Sequence, residues 1–146
     1  MALFTSEFEC KLDTKGRLAL PAKVKANLPE VSSQEVVLMR GFERCIELYP
    51  IVEFKKKQLQ FSSLSDYDPE QRKLKRAIFK RVANVELDSA GRILIPKAML
   101  AYANINREAV LIGIGTSVEI WNPQVFETES MADTEYSELA QKFLDE

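Results

Sequence analysis

Two arginines in this chain have neighbours typical of an anion-binding group. Arg17 and Arg92 each follow a glycine directly and stand four residues after an aspartate, in two copies of the pattern Asp-x-x-Gly-Arg-x-x-x-Pro. A planar guanidinium can bind a phosphate, or the O6/N7 edge of guanine, through two parallel hydrogen bonds. Lys15 adds positive charge beside Arg17. We therefore predict that Lys15, Arg17 and Arg92 are DNA-binding residues.

The other residues of the pattern are predicted to support the turn that carries each arginine. Aspartate can hydrogen-bond the backbone two residues further on, and glycine supplies a positive φ. Proline ends a strand and can open a helix at its first position. These turn-supporting residues are Asp13, Gly16 and Pro21 in the first copy, and Asp88, Gly91 and Pro96 in the second.

The role of the arginines stays open for two reasons. Each arginine could serve only as the structural partner of its own aspartate, holding the turn together. The second copy also has Ala90 where the first has Lys15, so it carries less positive charge. A contact of equal strength from both copies therefore does not follow from the sequence.

The composition argues against an enzyme. The chain contains no histidine, so it cannot form a Ser-His-Asp triad or a Cys-His pair, and its two cysteines are too few for a structural zinc site. No glycine-rich nucleotide-binding pattern is present either. We therefore predict no catalytic residues, no metal, no cofactor and no small-molecule substrate.

The chain contains an internal repeat, and the repeat predicts the fold. Residues 12–21 match residues 87–96 at an offset of 75, residues 35–39 match 108–112 at an offset of 73, and residues 46–50 match 119–123 less tidily. Period-two alternation and turn residues in each unit predict short strands in hairpins. We predict a mostly β fold with short helices (α+β), in which the two units form a pseudo-two-fold barrel with a shared core.

Four parts are predicted along the chain. They are a first domain over residues 1–54, a basic helical connector over 55–81, a second domain over 82–127 and an acidic, helical tail over 128–146. Residues 1–81 hold 16 lysines and arginines against 11 acidic residues, whereas residues 82–146 hold 4 against 11. This asymmetry suits an anionic partner, but equally head-to-tail contact between subunits. The basic face of the connector is either simply solvated or in contact with phosphates.

The two motif copies, their spacing and the basic helix between them resemble the MraZ family over residues 1–127. The resemblance implies two tandem swapped-hairpin domains of the SpoVT/AbrB type. It also implies a transcription regulator, acting as a repressor, of the bacterial division and cell-wall gene cluster. Such a regulator assembles into homo-oligomeric rings and binds repeated boxes of double-stranded promoter DNA.

The residue pattern and the family resemblance also predict the location and the partners of the chain. No apolar run approaches the roughly 20 residues needed to cross a bilayer, and the N-terminus lacks the basic and apolar regions of a secretory signal. We therefore expect no membrane partner and a cytoplasmic protein, and the family resemblance further implies that it is nucleoid-associated. The competing prediction is a ring-forming interaction scaffold whose motif loops contact other subunits and which binds no specific DNA.

Overall fold

A computed structural model of the chain describes residues 3–29 and 34–144. The parts of the predicted domains and tail that fall on residues 1, 2, 30–33, 145 and 146 lie outside the described residues. Strands and helices follow in the order β1 (Glu7–Lys11), β2 (Arg17–Ala19), α1 (Ala22–Ala26), β3 (Glu35–Arg40), β4 (Ile46–Pro50), α2 (Ile51–Ser62), α3 (Pro69–Phe79), β5 (Val82–Glu86), β6 (Arg92–Leu94), α4 (Lys97–Ala103), β7 (Glu108–Gly113), β8 (Val118–Trp121), α5 (Pro123–Glu129) and α6 (Asp133–Leu144). The predicted class, mostly β with short helices, is confirmed.

The strands form an open sheet and a separate ribbon. Six antiparallel strands lie in the order β1-β7-β8-β4-β3-β5, and β2 pairs with β6 in a two-stranded ribbon. The predicted barrel is therefore wrong, because the sheet is not closed and β1 and β5 stand at its two edges. Ribbon strand β2 reaches the chain beyond β1 only through an isolated bridge between Leu18 and Leu12. Each ribbon strand has three residues and is followed within two residues by a proline, which cannot donate to a ladder and so does not extend the pairing.

The two repeats exchange strands across the sheet. Strand β1 of the first repeat pairs with β7 of the second, and β5 of the second pairs with β3 of the first. Strands β4 and β8 pair with each other around Glu47 and Glu119, as β2 and β6 pair around Leu18 and Ile93. Equivalent strands of the two repeats therefore occupy equivalent places.

One main core lies between the sheet and the ribbon. Leu18 and Ile93 of the ribbon are fully buried there, against sheet residues from both repeats such as Leu38 and Leu111. Burying a leucine or isoleucine side chain contributes about 1.5–3 kcal/mol. The ribbon is thus anchored by one apolar residue from each of its strands.

Helices α2 and α3 cover the other face of the sheet on one side. Helix α2 begins at Ile51 after Pro50, and so crosses residue 54, where the first predicted domain ends. Helix α3 has Asp68 as its N-cap and proline at its first position, two residue types that favour a helix start. On α3, Ile78 packs against the sheet, whereas Leu74 stays 52% exposed.

The last part of the described chain forms helices α5 and α6. Helix α5 packs on the sheet beside Trp121, where the rings of Trp121 and Phe126 lie 5.7 Å apart. No residue of α6 is buried in the described part of the chain, and Phe143 is 70% exposed. Among the described residues, the helices are all too short or too polar to cross a membrane.

Candidate nucleic-acid interface

The first motif copy folds into a tight turn that leads into β2. The Asp13 carboxylate accepts hydrogen bonds from the backbone N–H groups of Lys15 and Arg17, both at 2.9 Å. The backbone closes the turn as Gly16 N donates to Asp13 O at 3.1 Å. Gly16 has a φ of 85°, which a residue with a Cβ adopts only with strain. Aspartate and glycine together define this turn.

The second copy repeats the same hydrogen bonds at the start of β6. Asp88 accepts from the N–H groups of Ala90 and Arg92 at 2.9 Å each, and Gly91 has a φ of 74°. Pro96, like Pro21 in the first copy, stands at the N-cap position, one residue before the short helix that follows. The presence of alanine instead of lysine at position 90 therefore leaves the backbone of the turn unchanged.

Each arginine is held by its own aspartate through one nitrogen. Arg17 Nε donates to the second Asp13 oxygen at 2.6 Å, and Arg92 Nε donates to Asp88 at 2.8 Å. Arg92 Nη1 also lies 3.9 Å from the Asp13 carboxylate of the other repeat. Both arginine side chains remain about one-third exposed, at 33% and 35%. The aspartates fix the guanidinium planes through Nε and leave terminal nitrogens for a further partner.

The ribbon presents both arginines on one face. Arg17 stands opposite Leu94 and Ala19 stands opposite Arg92 in the antiparallel register. Side chains alternate along a strand, so these four lie on the face opposite the buried Leu18 and Ile93. The turns of two different repeats therefore deliver their arginines to a single outward surface.

The aspartates are ionised and neutralise much of the arginine charge. Backbone hydrogen bonds from the N–H groups of Arg17 and Arg92 are the largest cause that lowers the pKa of Asp13 and of Asp88, and the guanidinium groups lower both further. Each Asp–Arg pair is thus close to neutral as a unit. Within the two motif copies, the remaining charge is that of Lys15.

Comparison with known protein families also divides this chain into two units. The family model of the MraZ protein matches residues 3–77 and again residues 78–143. This chain belongs to the MraZ family. The two matches correspond to the two repeats, and the division between them falls in the last turn of α3.

Relatives in the MraZ family are similar over nearly the whole chain. A protein of Cytophaga hutchinsonii is 43% identical over 99% of this chain and 96% of its own length. A protein of Thermomicrobium roseum is 40% identical over 84% of this chain and 83% of its own length, and one of Mycoplasmoides gallisepticum is 34% identical over 99% of both. Each of the three is named transcriptional regulator MraZ.

One residue at the ribbon of this MraZ-family chain was missed by sequence reasoning. Lys25, on α1 of the first repeat, lies over Gly91 in the turn of the second: a Cβ added there would sit 2.7 Å from Lys25 Nζ. The corresponding neighbour of Gly16 is Leu100, 3.4 Å from such a Cβ. Lys25 and Leu100 are 75 residues apart, the same offset as the motif, so they are equivalent positions of the two repeats. This equivalence alone does not show that either residue covers a turn of the other repeat.

A second cluster of polar groups lies away from the motif, on β8 and in the loop before β4. The carboxylates of Glu43 and Glu119 and the Cys45 thiol all lie within 4.8 Å of one another. Burial, the largest cause, raises the pKa of the Cys45 thiol, and the nearby glutamates raise it further. Carboxylates commonly lie this close together in proteins without a metal, so the cluster adds no argument for a metal centre.

Proposed function

We propose that this chain is a DNA-binding transcriptional regulator that contacts DNA with the outward face of the β2–β6 ribbon. The observation that carries the proposal is the presence of Arg17 and Arg92 on that one face, each fixed by an aspartate through Nε with its side chain about one-third exposed. The names of its relatives, transcriptional regulator MraZ, support the same function.

The ribbon has the shape and donors that such contact needs. A two-stranded β-ribbon fits the major groove, which is about 12 Å wide, and a guanidinium there can bind guanine O6 and N7 together. Arg17 and Arg92 would read base edges or bind phosphates, and Lys15 would bind phosphate. Since the aspartates hold the guanidiniums in place beforehand, less side-chain entropy is lost when DNA binds.

The finer parts of this proposal rest on the family resemblance. We propose that the strand exchange between repeats is the swapped-hairpin arrangement of AbrB-type domains, with domains over residues 1–54 and 82–127. The targets would be repeated promoter boxes of the division and cell-wall gene cluster, bound by a homo-oligomeric ring in the nucleoid as a repressor. A ring suits a chain of net charge −2, because several weak contacts on one DNA gain affinity through effective concentration.

The test is a binding titration at several salt concentrations. Fluorescence anisotropy would compare the duplex upstream of the chain's own gene with a scrambled duplex of the same length. We expect tighter binding to the upstream duplex, with affinity falling steeply as salt rises because phosphate contacts release counterions. Arg17→Ala should weaken binding about tenfold, since one lost base contact costs about 1–3 kcal/mol.

Controls separate this function from the alternatives. Arg72→Ala, on the exposed face of α3, should leave binding nearly unchanged, and an equal loss there would move the interface to the connector. Size-exclusion chromatography should show the same assembly for Arg17→Ala and the unmodified chain. Normal assembly without salt-dependent binding to either duplex would favour the ring-forming scaffold. Unchanged binding in the Arg17→Ala, Arg92→Ala double variant would remove the arginines from the interface.

A further inference from the structure

We infer that Lys25 of the first repeat supplies the phosphate-binding charge of the second turn, where Ala90 replaces the lysine of the first. The inference rests on the proposed function and extends it to a residue outside both motif copies. It makes the second turn a composite site, with Arg92 from one repeat and the ammonium group from the other.

The side chain of Lys25 lies directly against the second turn. A Cβ added to Gly91 would be 2.7 Å from Lys25 Nζ and 2.8 Å from its Cδ, so both the stem and the ammonium group cover this glycine. Gly91 is buried, whereas Gly16 is only half-buried. Lys25 itself is exposed, so a phosphate that approaches the turn can reach its side chain.

The position of Lys25 is set by the core and by a hydrogen bond between the repeats. Val24, the preceding residue on α1, is 3% exposed and anchors the short helix in the main core. Leu20 N donates to Gly91 O at 3.2 Å, which ties the end of β2 to the second turn. The helix that follows β2 therefore starts beside the turn of the other repeat.

Each turn combines one lysine with one apolar residue, but the motif position and the covering position exchange these two types. At the first turn the motif supplies Lys15 and the covering residue is Leu100; at the second the motif supplies Ala90 and the covering residue is Lys25. Lys15 and Ala90 are 75 residues apart, the offset of the motif, and so are Lys25 and Leu100. Each turn thus has one lysine and one apolar residue, although the motif copies alone suggest that the second turn is the weaker.

The local charges favour an anionic partner for Lys25. The carboxylate of Asp88, nearest in the turn, is paired with Arg92 at 2.8 Å. Among the described residues, no carboxylate lies within 4.0 Å of Lys25 Nζ. The ammonium charge is therefore added to a turn whose Asp–Arg pair is nearly neutral by itself.

The inference is tested by removing the charge while keeping the apolar stem. Lys25→Met should reduce the slope of log affinity against log salt by about 1 on both the upstream and the scrambled duplex, as expected for one lost phosphate contact. Lys25→Arg should keep the slope of the unmodified chain. Lys23→Met on the same helix is the matched control, with the same change in net charge, and should leave the slope unchanged.

A rescue variant tests the exchange of places directly. Adding Ala90→Lys to Lys25→Met rebuilds the second turn in the form of the first, and should restore the slope. Thermal unfolding of each variant, with Lys25→Gln as a second charge-removing change, verifies that the fold is intact. An unchanged salt slope in Lys25→Met, or an equal reduction of the slope in Lys23→Met, would overturn the role of Lys25. The proposed function would still stand in that case if Arg17→Ala weakened binding. Failure of the unmodified chain to bind either duplex would overturn the proposed function itself.

Discussion

At the scale of single residues, the aspartates of the motif organise each turn more than the arginines do. Asp13 accepts hydrogen bonds from two backbone N–H groups and from Arg17 Nε, and Asp88 accepts the three equivalent hydrogen bonds in the second repeat. The structural and the binding interpretations of the arginines are therefore compatible. A pair with aspartate uses Nε, and contact with DNA would use the terminal nitrogens.

These carboxylates predict a loss of stability in acid. The pKa of folded Asp13 lies below its ordinary value of 3.8, chiefly through the backbone hydrogen bond from Arg17. The ionised form is favoured in the folded state, so its contribution is present above pH 3.8 and is lost as the pH falls through the lower, folded pKa. Urea unfolding at pH 7 and at a pH below about 4 should show a smaller acid loss in Asp13→Asn than in the unmodified chain.

The control for this prediction is Asp133→Asn on the exposed helix α6. It removes the same charge away from the turns and should keep the full acid loss. If Asp13→Asn retained the acid loss of the unmodified chain, the hydrogen bonds of the turn would not be the source of the effect.

At the scale of elements, strands β4 and β8 bring two like charges face to face. Glu47 and Glu119 are directly opposite in the register. Burial is the main cause that raises the pKa of Glu119, Glu43 and Glu47 raise it further, and a hydrogen bond from Trp121 Nε1 opposes the shift. At neutral pH the strand pair is therefore destabilised by this charge, and the core packing beneath it must offset the effect.

Replacing this carboxylate by an amide should stabilise the protein. Glu119→Gln keeps an oxygen for Trp121 Nε1, 3.0 Å away, and removes the repulsion. Since the folded pKa is raised, the ionised form is disfavoured at neutral pH, and the gain should shrink as the pH falls and Glu119 takes up a proton. We expect a gain of about 0.2–1 kcal/mol in the free energy of unfolding near neutral pH, measured in urea.

The matched control is Glu127→Gln on the exposed side of α5, which makes the same change in net charge. It should leave the free energy of unfolding nearly unchanged. A destabilised Glu119→Gln would mean that the ionised carboxylate contributes more to the Trp121 hydrogen bond than it loses through burial and repulsion.

At the scale of the whole molecule, the two repeats share one core and cannot be separated at the sheet. Strand β1 completes the half of the sheet formed by the second repeat, and β5 completes the half formed by the first. Leu18 and Ile93 meet at the centre of the ribbon with no exposed surface. A small unit that buries little area alone gains a core through this exchange.

A mutation in the first repeat should therefore unfold the second. Leu18→Ala removes a fully buried side chain and should cost about 2–5 kcal/mol. Trp121, the single tryptophan, lies in the second repeat and reports on that half of the chain. In urea, the Trp121 fluorescence transition should move to lower denaturant together with the far-UV circular dichroism transition. A fluorescence midpoint that stayed in place would show that the repeats unfold independently.

The sequence alone predicted those features that depend on neighbouring residues. The hairpin turns and the short helices that follow Pro21 and Pro96 depend on residue types within a few positions of one another. The repeat predicted that equivalent strands would have equivalent roles. The residues of the turns are therefore found where the pattern places them, although their contact with DNA remains a prediction.

The tertiary structure decided what depends on contacts between distant parts of the chain. In the folded chain the sheet is open, β1 pairs with β7, and Lys25 lies over Gly91, which is 66 residues further along the chain. The residue types near Gly91 do not contain this information, because the approach of α1 is set by the packing of Val24 and by the strands the repeats exchange. Turns and caps are specified locally, whereas the set of side chains around each turn is determined by the shared core.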